Sequence, residues 1–219
     1  MIEETEAQLF ALTENKKFES NKLIAFSESI KLAMTTANLA HKNKGKLSGI
    51  SSGFLALDDL LGGLHKSDLV ILAGRPSMGK TALATNIAYN AASNTNEEKS
   101  VAFFSLEMSA EQLANRILAE QASISSDQIR RGKLNKDDFL KLSQVSKEIS
   151  SDKLFIDDTP AINVSTLRTR ARRLKRKLDT DLGLIVVDYL QLMRGSKKYE
   201  NRVQEISEIT QGLKSVSKE

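Results

Sequence analysis

The sequence predicts an α/β fold in which a mostly parallel sheet is covered by helices on both faces. Apolar runs typical of buried strands alternate with helical patterns, and the strand candidates are 69–73, 101–106, 154–156 and 184–188. A glycine-rich loop joins the first strand candidate to a helix candidate. Residues 1–45 contain no proline and no glycine before Gly45, which predicts a helical linker ahead of a core at 46–219.

The glycine-rich loop has the sequence GRPSMGKT and matches the phosphate-loop pattern G-x-x-x-x-G-K-[ST], also called Walker A. Its two glycines let the backbone curl so that successive N–H groups point at phosphate oxygens, and the helix candidate at 82–92 adds its positive dipole end. We expect Lys80 to reach the β- and γ-phosphates and Thr81 to offer a hydroxyl to Mg²⁺. The motif therefore predicts a nucleoside triphosphate site at Gly74, Arg75, Pro76, Ser77, Met78, Gly79, Lys80 and Thr81.

A second strand candidate ends in an acidic residue of the kind that such a loop requires. The run LIVVD places Asp188 after four aliphatic residues, the Walker B pattern of phosphate-loop ATPases. Open α/β sheets bind ligands at the carboxyl ends of their strands. The sequence therefore predicts that Asp188 faces the Mg²⁺ ion.

Glu107 follows a third strand candidate, VAFFSL, and precedes Ser109, which is a predicted helix cap. A carboxylate at this position could polarise the water that attacks the γ-phosphate. It could equally be a helix-end charge that complements the helix dipole. The spacing alone does not separate these two interpretations.

The segments that carry these features resemble one family closely. The stretch SGISSGFLALDDLLGGLHKSDLVILAGRPSMGKTALATNIAYNAA, followed by VAFFSLEMS and LIVVDYLQLMRG, is similar to the DnaB-type bacterial replicative helicases. The resemblance covers nearly the whole chain, and the GRPSMGKT, SLEM and DYLQLM segments occur in the family's order. It implies a RecA-like ATPase fold, with ATP and Mg²⁺ as cofactors. It also implies that Glu107, the glutamate of SLEM, is the catalytic base beside Lys80.

The resemblance further implies a hexameric ring motor that moves along single-stranded DNA and unwinds a duplex during replication, with primase and a helicase loader as partners. A cytoplasmic location is expected because the sequence has neither a signal-peptide pattern nor an apolar run of membrane length. Family members begin with a helical domain that has no counterpart here. Their γ-phosphate-sensing glutamine and arginine finger would follow residue 219. We therefore expect a fragment, truncated at both ends, with little activity alone.

Two basic stretches compete as DNA contacts. Residues 168–177 hold seven Lys or Arg, but Val164, Leu167, Ala171, Leu174 and Leu178 form an apolar stripe, so these charges are expected to be a solvated face. The loop after Walker B leaves the carboxyl end of a strand near the nucleotide site. We therefore expect the phosphate contacts to be Arg194, Lys197, Lys198 and Arg202.

The linker is predicted to contain a helix that begins near Ser20, with an apolar stripe at Phe26, Ile30, Ala33, Ala37 and Ala40. Such a stripe packs either on its own domain or, as the resemblance suggests, on the adjacent subunit of a ring.

Composition narrows the class of protein. The chain has 219 residues, 40% of them hydrophobic, and no cysteine, so neither a disulfide framework nor a Cys-based metal site is expected. No apolar run is long enough to span a membrane. The net charge of +4 is compatible with nucleic-acid binding. Two alternatives stay open: a RecA- or KaiC-like ATPase that is not a helicase, and an inert ATP-binding fragment that pairs with a full-length helicase.

Overall fold

A computed structural model describes residues 23–42, 47–94, 99–149, 153–178, 180–196, 199 and 201–219. The chain divides into two compact units, Met1–Lys46 and Leu47–Glu219. In the first unit, helix α1 spans Phe26–Lys42. The predicted start near Ser20 lies outside the described residues, and residues 23–25 are not helical. The apolar positions Phe26, Ile30, Ala33 and Ala37 are exposed, and the side chain of Ala40 is outside the described set.

The second unit alternates helices with strands, as the sequence predicted, and its three strands correspond to three of the four predicted ones. In chain order its elements are α2 (Leu55–Leu61), α3 (Lys80–Ser93), β1 (Lys99–Ser105), α4 (Ala110–Gln121), α5 (Ser126–Arg130), α6 (Lys136–Glu148), β2 (Leu154–Asp157), α7 (Val164–Lys177), β3 (Asp181–Asp188), a 3₁₀ turn (Leu190–Leu192) and α8 (Arg202–Ser217).

The three strands form a parallel sheet in the order β2-β1-β3. In the register, Val101 pairs with Leu154 and Ser105 pairs with Asp188. Because parallel neighbours need crossover connections, helices separate the strands along the chain. The predicted α/β fold with a parallel sheet is confirmed. Because the strands are parallel, the residues that follow β1, β2 and β3 lie at the same edge of the sheet.

Helices cover both faces of the sheet. On one face Ala102 and Phe104 pack with residues from α7 and α8, including Leu167 and Ile209. On the other face Val101 and Phe103 pack with a set that includes Ala88, Ala91, Ala92 and Leu113. Central strand β1 is buried from Ser100 to Ser105 because both of its faces and both of its edges are covered. This explains its continuous apolar run.

One predicted strand is absent from the sheet. Residues 69–73 have no assigned strand structure, and Val70 and Ile71 are 59% and 68% exposed. A strand requires a neighbour that exchanges backbone hydrogen bonds with it, and no such ladder involves 69–73 among the described residues. Leu69, at its start, is partly buried against the core. The prediction of a buried strand was therefore wrong here.

The basic helix α7 packs as the apolar stripe predicted. Leu167 and Ala171 are buried, and Val164 and Leu174 pack against the same core. Helix α7 ends at Lys177, so Leu178 lies just beyond it. Within the described parts of the chain, no helix combines the length and the apolar character needed to cross a membrane.

Candidate nucleotide site

The phosphate loop precedes helix α3 directly. Gly79 is the residue before the helix and has a φ of 85°, a left-handed conformation that glycine adopts without strain. Ser77 also has a positive φ, of 63°. The loop is exposed from Gly74 to Gly79. It is therefore an open, curled backbone at the amino end of a fourteen-residue helix, the arrangement that favours anion binding.

Lys80 links the loop to the carboxyl end of β3. Its Nζ donates a hydrogen bond to the carbonyl of Gly74 at 2.9 Å, which ties the last part of the loop to the first. The same Nζ lies 6.0 Å from the centre of the Tyr189 ring, and Tyr189 follows Asp188 directly. The ammonium group of Lys80 therefore lies between the phosphate loop and the carboxyl end of β3.

Asp188 ends β3 and is 5% exposed. Its Oδ2 atom is buried and accepts no hydrogen bond within the described structure. A buried carboxylate oxygen without a partner is costly, and a hard cation is a ligand that satisfies it. Thr81 supplies a hydroxyl oxygen in the first turn of α3. These donors fit Mg²⁺, which usually takes one or two protein oxygens and substrate phosphates.

The described residues contain no group of three or more His, Asp or Glu that could hold a metal by themselves. A Mg²⁺ ion bound with a nucleotide takes part of its coordination from phosphate oxygens, so it can be held by one or two protein oxygens.

Ser105 shapes the turn that carries Glu107. Its hydroxyl donates to the carbonyl of Met108 at 2.6 Å and accepts from the Met108 N–H at 3.2 Å. The next backbone N–H, that of Leu106, donates to the carbonyl of Asp188 at 2.7 Å. The turn thus begins level with Asp188 and presents Glu107 as an exposed side chain. The sequence did not identify the role of Ser105.

Ser109 caps helix α4 as predicted, in a capping box with Gln112. Glu107 precedes this cap, whereas Glu111 is the acidic residue in the first turn of α4. The helix dipole acts mainly on charges within the first turn. Glu107 thus lies outside the first turn of α4, and its role as the catalytic base stays a prediction.

A buried polar network centred on Asp58 connects the segment before the phosphate loop to helix α3. Asp58 is 4% exposed and accepts hydrogen bonds from the Ser51 hydroxyl, the Ser52 hydroxyl and the Ser52 N–H at 2.6–2.8 Å. Asn90 of α3 donates to the Ser52 carbonyl at 3.1 Å. Burial alone would raise the pKa of Asp58, but these hydrogen bonds outweigh it and lower the pKa below its usual value. The network anchors segment 51–58 to the helix that carries the phosphate loop.

The loop after β3 is held against α8. Arg202 pairs with Glu205 and also donates to the carbonyl of Gln191. Arg194 is exposed, and its backbone N–H donates to the Ile162 carbonyl at 3.1 Å. The two lysines predicted to contact DNA, Lys197 and Lys198, lie outside the described residues.

Two residues near the site were not recognised from the sequence. Tyr189 places its ring beside Lys80, and an aromatic residue directly after the Walker B aspartate is the signal that could have indicated it. Ser105 lies two residues before Glu107, where a serine at a strand end indicates a turn-forming hydroxyl.

Comparisons with known proteins agree with this geometry. Residues 49–219 match the family described as DnaB-like helicase C terminal domain. The chain is 50% identical, over 229 aligned residues, to the replicative DNA helicase DnaB of Rickettsia prowazekii (strain Madrid E), covering all of this chain and 46% of that protein. It is 48% identical over 182 residues to the replicative DNA helicase DnaB of Geobacillus stearothermophilus, covering 83% and 39% of the two chains. The chain thus spans about half the length, or less, of these relatives.

Solved structures show the same similarity. One of them, the structure of an ATPase domain, has a TM-score of 0.80 and 31% identity, covering 90% of this chain and 68% of that chain. A DnaB-like replicative helicase, solved in a study of its interactions with primase, has a TM-score of 0.77 and 29% identity and covers 95% and 50% of the two chains. The RecA-like α/β fold is thereby shown. Because the family model matches residues 49–219, which is most of the chain, the chain belongs to the DnaB-like helicase C-terminal domain family.

Proposed function

We propose that the chain is the ATP-driven motor part of a replicative DNA helicase, which couples ATP hydrolysis to movement along single-stranded DNA and to unwinding of a duplex. The observation that carries this proposal is the position of Lys80, between the phosphate loop and the end of β3, where an Asp188 oxygen has no hydrogen-bond partner among the described residues. Family membership supports the helicase role.

Each residue of the site has a distinct part in the proposal. Lys80 and the loop N–H groups neutralise and orient the β- and γ-phosphates. Thr81 and Asp188 would hold Mg²⁺, which would neutralise charge that develops on the phosphate oxygens. Glu107 accepts a proton from the attacking water, since its carboxylate is exposed next to the strand end that carries Asp188.

The proposal also covers partners. In the sequence, Arg194, Lys197 and Lys198 fall between β3 and α8, and Arg202 is the first residue of α8. We assign DNA phosphate contacts to these four residues. A ring of six copies, contacts with primase and a loader, and a cytoplasmic location follow from the family resemblance. Exposed apolar side chains on α1, including Phe26 and Ile30, are compatible with docking on an adjacent subunit.

The test has three measurements on the same preparation. The first is binding of a fluorescent ATP analogue with and without Mg²⁺, the second is ATP hydrolysis with and without single-stranded DNA, and the third is unwinding of a forked duplex. The proposal requires Mg²⁺-dependent ATP binding by this chain, and requires hydrolysis and unwinding in a chain of the relatives' length. Mg²⁺-dependent hydrolysis without unwinding in that longer chain would favour a non-helicase ATPase, and a strand-exchange assay would then identify it.

A further inference from the structure

The two residues after Arg194 present hydrogen-bond donors that point at carboxylates of α8. The N–H of Gly195 donates to Glu205 Oε1 at 2.9 Å, and the N–H of Ser196 donates to Glu208 Oε2 at 3.3 Å. The hydroxyl of Ser196 also donates to Glu208. Three donors from two consecutive residues therefore converge on one acidic face of a helix.

Arg202 adds a positive charge to this group of donors. Its guanidinium pairs with Glu205, which is the carboxylate that receives the Gly195 N–H. Successive backbone N–H groups with a hydroxyl and a guanidinium form the donor set that binds phosphate oxygens in many proteins. Here carboxylate oxygens occupy those donors, and a carboxylate offers the same kind of charged acceptor as a phosphodiester.

We infer that the Gly195 and Ser196 N–H groups, the Ser196 hydroxyl and the Arg202 guanidinium form a phosphate site for the backbone of single-stranded DNA, which Glu205 and Glu208 occupy in this conformation. The inference rests on the proposed function, since it assigns the DNA contacts of the same loop. Glu205 and Glu208 are then competitors of the DNA phosphates, and they set how strongly the loop binds DNA.

The surroundings of the two carboxylates support this competition. Glu205 and Glu208 are three residues apart, so they lie on one side of α8 and repel each other. The Gly195 N–H and the Arg202 side chain nevertheless hold the pKa of Glu205 below its usual value, so the donors stabilise negative charge at this position. Tyr199 contacts Glu208 as well, and this hydrogen bond raises the pKa of the Tyr199 hydroxyl. The donors are therefore already arranged around an anion.

The test is binding of fluorescein-labelled oligo(dT) to the whole chain, measured by fluorescence anisotropy over a salt series. The double variant Glu205→Gln/Glu208→Gln keeps side-chain size and removes the competing charges. It should bind about tenfold more tightly than the unmodified chain, the scale of one gained charge-assisted contact. Its salt slope should steepen by ~0.7 for each phosphate gained. Glu205→Ala/Glu208→Ala should bind more tightly still, because alanine leaves no acceptor.

The matched control is Glu111→Gln/Glu148→Gln, which raises the net charge equally at exposed positions on α4 and α6. It should change affinity only slightly and leave the salt slope unchanged. Adding Ser196→Ala to the Glu205→Gln/Glu208→Gln variant removes one donor and should reverse part of the gain.

Equal affinity and slope in the Glu205/Glu208 variants and in the control would overturn the inference, as would no DNA binding by any variant. Circular dichroism confirms that the variants are folded. ATP binding, measured in parallel, tests the proposed function separately, because Lys80 and Asp188 are unchanged in all these variants.

Discussion

The ammonium nitrogen of Lys80 lies 6.0 Å from the centre of the Tyr189 ring and 2.9 Å from the carbonyl oxygen of Gly74. The first contact joins residues that are more than one hundred positions apart in the sequence, and the second closes the phosphate loop on itself. Together they place the positive charge of the motif beside the end of β3. Asp188, the neighbour of Tyr189, is the buried acid at that end.

Replacing Lys80 by alanine should lower the affinity for ATP–Mg²⁺ by about 10- to 100-fold, the range expected for one lost charge-assisted hydrogen-bonding group. The side chain is near the loop surface and outside the apolar clusters, so the fold should persist. Titration with a fluorescent ATP analogue measures the change. Lys177→Ala removes an equivalent exposed charge from α7 and should leave affinity unchanged. Near-normal binding by Lys80→Ala would contradict the site.

Asp188→Asn should change the metal dependence of binding. The substitution keeps the size of the side chain and removes the charge of the buried carboxylate, one oxygen of which has no partner in the described part of the chain. The Mg²⁺ concentration needed for half-maximal ATP binding should rise about tenfold or more, since Mg²⁺ affinity depends on the charge of its ligands. A Mg²⁺ titration at fixed nucleotide concentration measures this. Asp59→Asn, at an exposed position on α2, is the control and should not shift the midpoint.

Glu107→Gln should separate binding from chemistry. Glutamine cannot accept the proton of the attacking water, so hydrolysis should slow by ~100-fold or more while ATP affinity stays within a few-fold. Phosphate release, measured in a chain of the relatives' length, reports the rate. Glu111→Gln alters a carboxylate in the first turn of α4 and should leave turnover intact. If both variants hydrolyse ATP at the normal rate, Glu107 is only a charge near a helix end.

Much of the fold follows from patterns that are local in the sequence. The apolar runs at 101–106 and 184–188 correspond to β1 and β3, because a buried parallel strand needs aliphatic residues on both faces. The run at 69–73 is similarly apolar, yet it is largely exposed and pairs with no strand among the described residues. The apolar composition of a segment indicates that the segment favours burial. It does not report whether a neighbouring strand is in place to form the ladder.

In the candidate site, as in the fold, residues in local sequence patterns could be predicted, whereas contacts that depend on loop conformation could not. The phosphate loop and Asp188 could be proposed from the sequence because their chemistry requires particular residues at fixed spacing. Arg202, which was expected to contact DNA, pairs with Glu205 in this structure. The spacing of three residues on a helix was a signal in the sequence from which this pair could have been predicted. The partners of Asp58 had no such signal, since Ser51 and Ser52 reach it through a loop conformation.

Asp58 should make stability depend on pH. Its pKa is lowered in the folded protein, so below neutral pH the unfolded state binds a proton more readily than the folded state does. The stabilisation from the ionised carboxylate is therefore complete above the ordinary pKa of an aspartate, ~3.9. It is lost as the pH falls through the lower folded value. Asp58→Asn removes this contribution, because its neutral amide does not titrate.

Urea unfolding at a series of pH values between 7 and 3 tests this. At pH 7, Asp58→Asn should lower the free energy of unfolding by about 1–3 kcal/mol, the cost of weakening a buried set of hydrogen bonds from Ser51 and Ser52. The difference from the unmodified protein should shrink as the pH falls below ~4, because protonation removes the advantage of the ionised group. Asp59→Asn, at the adjacent exposed position, should show little loss at any pH. If the difference in the free energy of unfolding between Asp58→Asn and the unmodified protein were the same at every pH, the shape of the Asp58 side chain rather than its charge would be what stabilises the fold.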